Sequence, residues 1–263
     1  MKKIRWLFYL LVWFCFFLLF CPMIVPQNQV RGFAKRTNIE KLLAAYPQQL
    51  LKLEDNKLYW KDGSFLIFDD KKVKTFEQKL ENADIEDQLY QSYPKGQLLQ
   101  NPQKDADAGR IRNEDFFKKM YGVNKQAVEK NLVPIIWLPN TVNKTLLVSK
   151  INDVDKKLQA ISKELEQLPS LQKYVENPAG TFNWRKIANT NRLSTHSFGI
   201  TIDITIQYAN YWEWEKNKNA TVLNYKNQIP YQIVEIFEKY GFIWGGKWYH
   251  YDTMHFEYRP ELL

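Results

Sequence analysis

Ile200, Ile202 and Ile204 alternate with Thr201, Asp203 and Thr205. This is the period-2 pattern of a strand with one apolar face, and it predicts that Asp203 points away from the isoleucines. Near the C-terminus His255 and Glu257 fall on one face of a second short strand, with Phe256 and Tyr258 on the other. Leu58 to Phe68 reads as a hairpin with Asp62-Gly63 in the turn, and Val133 to Leu138 as a short strand bounded by Pro139. Helical spacing governs other stretches. Ile151, Val154, Leu158, Ile161 and Leu165 recur at steps of three and four, an amphipathic helix whose apolar stripe belongs to the core; Asp153 and Asp155 lie near its start and Leu168-Pro169 ends it. Pro230 to Tyr240 has proline in its first turn and Gly241 just past its end, which predicts a helix. Weaker helical patterns cover Asn38 to Leu53, broken by Pro47, then Phe76 to Tyr93, and Phe116 to Tyr121, stopped by Gly122. Strands and helices mix unevenly rather than alternating as βαβ, so the expected fold is α+β, a small antiparallel sheet flanked by helices.

The first residues follow a different pattern. Lys2, Lys3 and Arg5 precede an uncharged apolar run from Trp6 to Val25, about twenty residues, enough to span a ~30 Å hydrocarbon core. Residues 1–25 are therefore expected to be a signal peptide or, lacking a small-x-small cleavage site, a signal anchor that ties the chain to a membrane. Basic residues before the run put the body outside the cytoplasm, in the periplasm or at the cell surface. Residues 26–37 read as a linker and 38–108 as an N-terminal lobe around the hairpin. Residues 109–263 read as the main domain, with the boundary in the Pro-, Gly-, Gln- and Asp-rich stretch 94–109.

Composition narrows the chemistry. The chain has 263 residues, 45% hydrophobic and 25% charged, with a formal charge of +8, a surface drawn to anionic polymers; no basic run specific to nucleic acid appears. Both cysteines, Cys15 and Cys21, lie in the apolar run, so the body has no thiol nucleophile, disulfide or sulfur ligand. Of only three histidines, two sit beside carboxylates in Ser194-Thr195-His196-Ser197-Phe198-Gly199-Ile200-Thr201-Ile202-Asp203 and in Asp252-Thr253-Met254-His255-Phe256-Glu257. His196, Asp203 and His255 make the three-ligand set of a catalytic zinc site, whose fourth position goes to water. An extended segment would put Asp203 roughly 23 Å from His196, so the chain must fold back, and Gly199 is the natural pivot. Asp252, three residues before His255, suits a general base. Glu257 is its rival, or else a partner that orients a ligand histidine.

The S-x-H-x-x-G-x-x-x-D and D-x-M-H-F-E segments, the second following Trp244-Gly245-Gly246-Lys247-Trp248, resemble the M15 family of zinc D-Ala-D-Ala carboxypeptidases and peptidoglycan endopeptidases, in its DxxH branch. The likeness covers about Phe182 to Leu263, with weaker similarity at Gly109-Arg110-Ile111-Arg112 and around Phe116 to Gly122. Thr201 stands where the family usually has a smaller residue such as Ala. The resemblance implies the same α+β fold, Zn2+ as cofactor, and hydrolysis of peptidoglycan stem peptides, with D-Ala-D-Ala carboxypeptidase first and endopeptidase second. Arg185 lies where relatives carry an arginine and is the candidate for the substrate carboxylate or oxyanion; Arg112 and Arg110 are runners-up. Ser194, His250 and Glu257 are further candidates for substrate contact, although packing among Trp248, Tyr249 and Tyr251 is the plainer reading of His250. Tyr211 to Trp214 and Trp244 to Tyr251 line either a cleft or the core. A non-catalytic wall-binding protein and a nucleic-acid binder are the competing classes; the first would lack some of these donors, and the second needs neither motif.

Overall fold

From residue 38 the chain is helical to residue 45, and then becomes a strand instead of continuing the helix expected to residue 53. Pro47 cannot extend the helix, and Leu50 gains more by burial in a sheet. β1 (Leu50–Glu54) pairs antiparallel with β2 (Lys57–Trp60), which pairs with β3 (Phe65–Ile67). The last two are the expected hairpin, its turn fixed by Asp62 Oδ1 accepting from Ser64 N at 3.0 Å. The computed structural model describes residues 38–215 and 223–263. The apolar run Trp6 to Val25 lies outside them, and among the described residues no helix is long and apolar enough to cross a membrane.

The stretch 76–93 contains two helices, α1 (Phe76–Asn82) and α2 (Ile85–Gln88), because Asp84 and Asp87 form a capping box that starts the second. α3 (Glu114–Tyr121) is capped by Asn113 and stops at Gly122 as expected, and α4 (Lys125–Glu129) follows. β4 (Leu132–Trp137) pairs with β5 (Lys144–Ser149), a partner that the residue pattern did not announce. α5 (Val154–Glu166) is the expected amphipathic helix; Val154, Leu158, Ile161 and Leu165 are buried against β4, β5 and a later helix.

α6 (Gln172–Val175) leads into the sheet that carries the chemistry. It contains β6 (Pro178–Gly180), β7 (Thr201–Thr205), α7 (Tyr231–Lys239) as a crossover, β8 (Phe242–Trp244) and β9 (His255–Tyr258), with strand order β6-β7-β9-β8, all antiparallel. Register is set by burial. Ile200, Ile202 and Ile204 are fully buried, each contributing about 1.5–3 kcal/mol, so a one-residue slip would expose them and turn Asp203 inward. In the observed register Asp203 stands opposite His255.

Residues 38–108 share one core with residues 109–263, and Asn38–Leu263 is one compact unit. An aromatic string shows the continuity. Phe116 packs against Tyr46 (centroids 5.8 Å), Trp60 (5.6 Å) and Phe117 (5.6 Å), and Phe117 packs against Phe198 (5.6 Å) in the turn that carries His196.

Candidate metal centre

Thr195–Phe198 is a single tight helical turn opened by Ser194, whose Oγ accepts from His196 N at 3.4 Å. Ser194, proposed from sequence as a substrate contact, therefore also holds the histidine's backbone. Gly199 ends the turn at φ 66°, and a Cβ there would lie 2.5 Å from Leu132 Cδ2. This is the expected pivot.

His196 Nδ1 lies 2.6 Å from the Thr181 carbonyl. A carbonyl only accepts, so Nδ1 donates to it, and Nε2 is the ring nitrogen left to face Asp203. Nε2 is 3.0 Å from Asp203 Oδ2, yet it is buried without a hydrogen-bond partner. The two atoms are close but not aimed at each other, as two donors sharing a third atom would be. Ligands of a tetrahedral zinc at the usual bond lengths stand ~3.3 Å apart. Across the strand pair His255 Nδ1 is 3.1 Å from Asp203 Oδ1, while its Nε2 is 3.0 Å from Glu257 Oε2. Glu257 therefore orients the ring with Nδ1 toward Asp203. The ligand atoms of His196, Asp203 and His255 lie within 4.8 Å of one another, and two imidazole nitrogens with one carboxylate match zinc's donor preference.

The electrostatics agree. Burial opposes ionisation of Asp203, but the imidazoles beside it hold its carboxyl well below the ordinary range. Burial would lower His255, yet Asp203 and Glu257 push it up to about 10; a cation between these groups would answer the same demand. Glu257 is fully buried, and His255, Arg112 and Arg259 outweigh that burial to keep it ionised far below the carboxylate range. A carboxylate held this way is a poor base. Asp252 differs: burial, with Asp203 adding to it, pushes it up to about 6. Its Oδ1 is buried without a partner. Its backbone is fixed by Asp252 N donating to Gly245 O at 3.0 Å, and a Cβ on Gly245 would stand 2.6 Å from the Asp252 carbonyl.

His196, Asp203, Asp252 and His255 line a cleft of about 310 Å³ together with Ser194, Tyr211, Trp212 and Trp248 and with Arg110, Arg112, Arg185 and Arg192, whereas Glu257, expected from sequence as a further substrate contact, lies buried behind it. Two roomier hollows, of about 830 and 940 Å³, contain none of these donors. The arginines differ in what they already hold. Arg110 Nη1 donates to Asp107 at 3.2 Å, and Arg192 Nε pairs with Glu81 at 3.0 Å. Arg185 is exposed at the rim, with one contact at 3.5 Å to Lys186 O. Arg112 is mostly buried with only long contacts, 3.4 Å to Gly109 O and 3.8 Å to Glu257, and burial lowers its guanidinium to about 10. His250 lies on the cleft and also packs against Trp212 and Tyr249, and its Nδ1 is 2.6 Å from Asp107. Asp107 and the Thr181 carbonyl had no signal in the sequence; both belong to segments without a pattern. The aromatic runs divide: Trp248 lines the cleft, whereas Trp244 is in the core and donates to Thr253 O at 2.9 Å.

On this small antiparallel sheet two histidines and an aspartate converge beside an elevated carboxylate, a group of side chains that could hold a metal ion. Residues 188–258, which include His196, Asp203, Asp252 and His255, match the M15 peptidase family model described as D-alanyl-D-alanine carboxypeptidase, and this match supports an M15 family peptidase. Neither the comparison with curated proteins nor that with solved structures returns a match.

Proposed function

We propose that the protein is a zinc-dependent peptidase of peptidoglycan stem peptides, acting as a D-Ala-D-Ala carboxypeptidase outside the cytoplasm. The observation that carries this reading is the convergence of His196 Nε2, Asp203 and His255 Nδ1 beside Asp252 on the floor of an arginine-walled cleft. His196, Asp203 and His255 would hold zinc, which when bound would supply Lewis acidity and lower the pKa of a water from 15.7 to about 7. Asp252 takes the proton from the attacking water and returns it to the departing amine. Asp203 and Glu257 stay ionised and hold the histidines in place. A guanidinium of the cleft receives the substrate's terminal carboxylate or the developing oxyanion. Arg185 is the candidate from sequence, and Arg112 joins it because it lines the cleft with only long contacts of its own.

The concentration of arginines favours a substrate that ends in a carboxylate over one whose chain continues through the site. Digestion of muropeptides, with products identified by mass spectrometry, tests this. Release of a terminal D-alanine, abolished by a chelator and restored by zinc, is expected. Cleavage inside the stem would make the protein an endopeptidase on the same centre, and zinc-independent turnover would reject the mechanism.

A further inference from the structure

Behind the cleft a string of charged side chains runs away from His255 through the interior. Glu257 Oε2 meets His255 Nε2 at 3.0 Å and accepts from Thr195 Oγ1 at 2.9 Å. Glu257 Oε1 accepts from Arg259 Nη1 at 3.0 Å, and the same nitrogen donates to Gly109 O at 2.9 Å. Arg259 Nε donates to Glu261 Oε1 at 2.6 Å, and Glu261 Oε2 accepts from Tyr46 Oη at 2.6 Å. Tyr46, Glu257 and Arg259 are all 0% exposed and Glu261 2%, so solvent does not screen the string.

Such a string is a poor way to gain stability, since buried ion pairs are often no better than well-packed apolar residues of the same volume. One end of it rests on the ring that must aim Nδ1 at the metal. The other rests on Tyr46 in the N-terminal segment, 215 residues from Glu261 in sequence. We infer that Arg259, Glu261 and Tyr46 are positioning residues for the metal ligand His255, so that the N-terminal helix and sheet serve the metal centre from which they are so distant in the chain. The inference rests on His255 being a zinc ligand.

The coupling is geometric. Without the tyrosine hydroxyl, Glu261 Oε2 is a buried oxygen lacking its partner, and Glu261 shifts to recover one. Arg259 follows, because its planar fork is fixed by Glu261 on one edge and by Glu257 and Gly109 on the other. Glu257 then loses the contact that holds its second oxygen on His255. Tyr46→Phe isolates this effect, since it keeps the ring packed against Phe116 and deletes only the donor.

Zinc affinity of the full chain, measured by competition with a chromophoric chelator, is the readout. Glu257→Gln, which touches the ligand directly, is expected to weaken binding about 10–100-fold, and Tyr46→Phe about tenfold. The decisive arm is the double variant. If the string transmits the effect, Tyr46→Phe adds nothing once Glu257→Gln is present. Equal zinc affinity in wild type and Tyr46→Phe overturns the inference, as does a Tyr46→Phe penalty that persists in full in the Glu257→Gln background. A wild type that takes up no zinc overturns the metal reading and the inference with it.

Discussion

Among the described residues, two places gather acidic side chains closely enough to hold a cation, and they have solved the resulting charge problem differently. Around α2, Asp69, Asp70 and Asp84, and again Asp84, Glu86 and Asp87, bring their oxygens within 4.8 Å. Lys74 Nζ already sits among them, 2.6 Å from Asp87, 3.0 Å from Asp70 and 3.3 Å from Asp84. Asp84 also accepts from the backbone of Asp70 at 2.9 Å and of Asp87 at 2.7 Å. This is a helix cap neutralised by an ammonium. At the sheet, His196 Nε2 has no partner, while Thr181 and Glu257 fix the far side of each ring. Proximity of carboxylates is thus a weak sign of a metal site. A buried ring nitrogen aimed by an outer hydrogen bond and left without a partner, as His196 Nε2 is, is a stronger one.

The largest expected effect separates the two clusters outright. His196→Ala should abolish stoichiometric zinc binding, whereas Asp84→Asn should leave it unchanged; elemental analysis of the purified variants decides. Zinc lost from the Asp84 variant and kept by the His196 variant would reverse the comparison.

Next come the two carboxylates within the sheet site. Asp252→Asn is expected to keep zinc and lower kcat by roughly 10²–10⁴-fold, the range for a positioned base. Glu257→Gln should act mainly through metal affinity. A dead Glu257→Gln enzyme with zinc intact, beside an active Asp252→Asn, would exchange the roles.

A smaller effect sharpens what the arginines do. Amidating the C-terminus of a D-Ala-D-Ala peptide should reduce kcat/KM about 10–100-fold, the loss of a charge-assisted hydrogen bond. Arg185→Ala and Arg112→Ala assayed on both peptides show which guanidinium is responsible. Equal cleavage of free and amidated peptide argues for an endopeptidase.

The smallest effect is in stability against pH. His255 is raised from its ordinary 6.5 to about 10, so in chelated protein its protonated form stabilises the fold fully below pH 6.5, and that contribution fades as pH rises through 10. Zinc displaces this proton, so the loaded protein should gain zinc affinity over the same rise. Thermal melts with and without chelator between pH 6 and 10 measure both trends. A chelated protein whose melting temperature climbs across that range would contradict the protonated His255.

The sequence by itself determined the three candidate metal donors, because each depends on local geometry. Alternation around Ile202 turns Asp203 out of the core, Gly199 permits the reversal after His196, and the step from Asp252 to His255 spans one turn. Helices with a clear apolar stripe, such as Val154–Glu166, were legible for the same reason. What only the tertiary structure decided is nonlocal. Residues 50–54 became a strand because β2 offered them a partner, and β5, β6 and β8 are too short or too irregular to show a period without theirs. Which carboxylate is raised and which is held ionised, and what orients each histidine, depends on Thr181, Asp203, Arg112 and Arg259. These residues are distant along the chain, and a pKa or a lone pair is set by whatever the packed interior brings within a few ångströms.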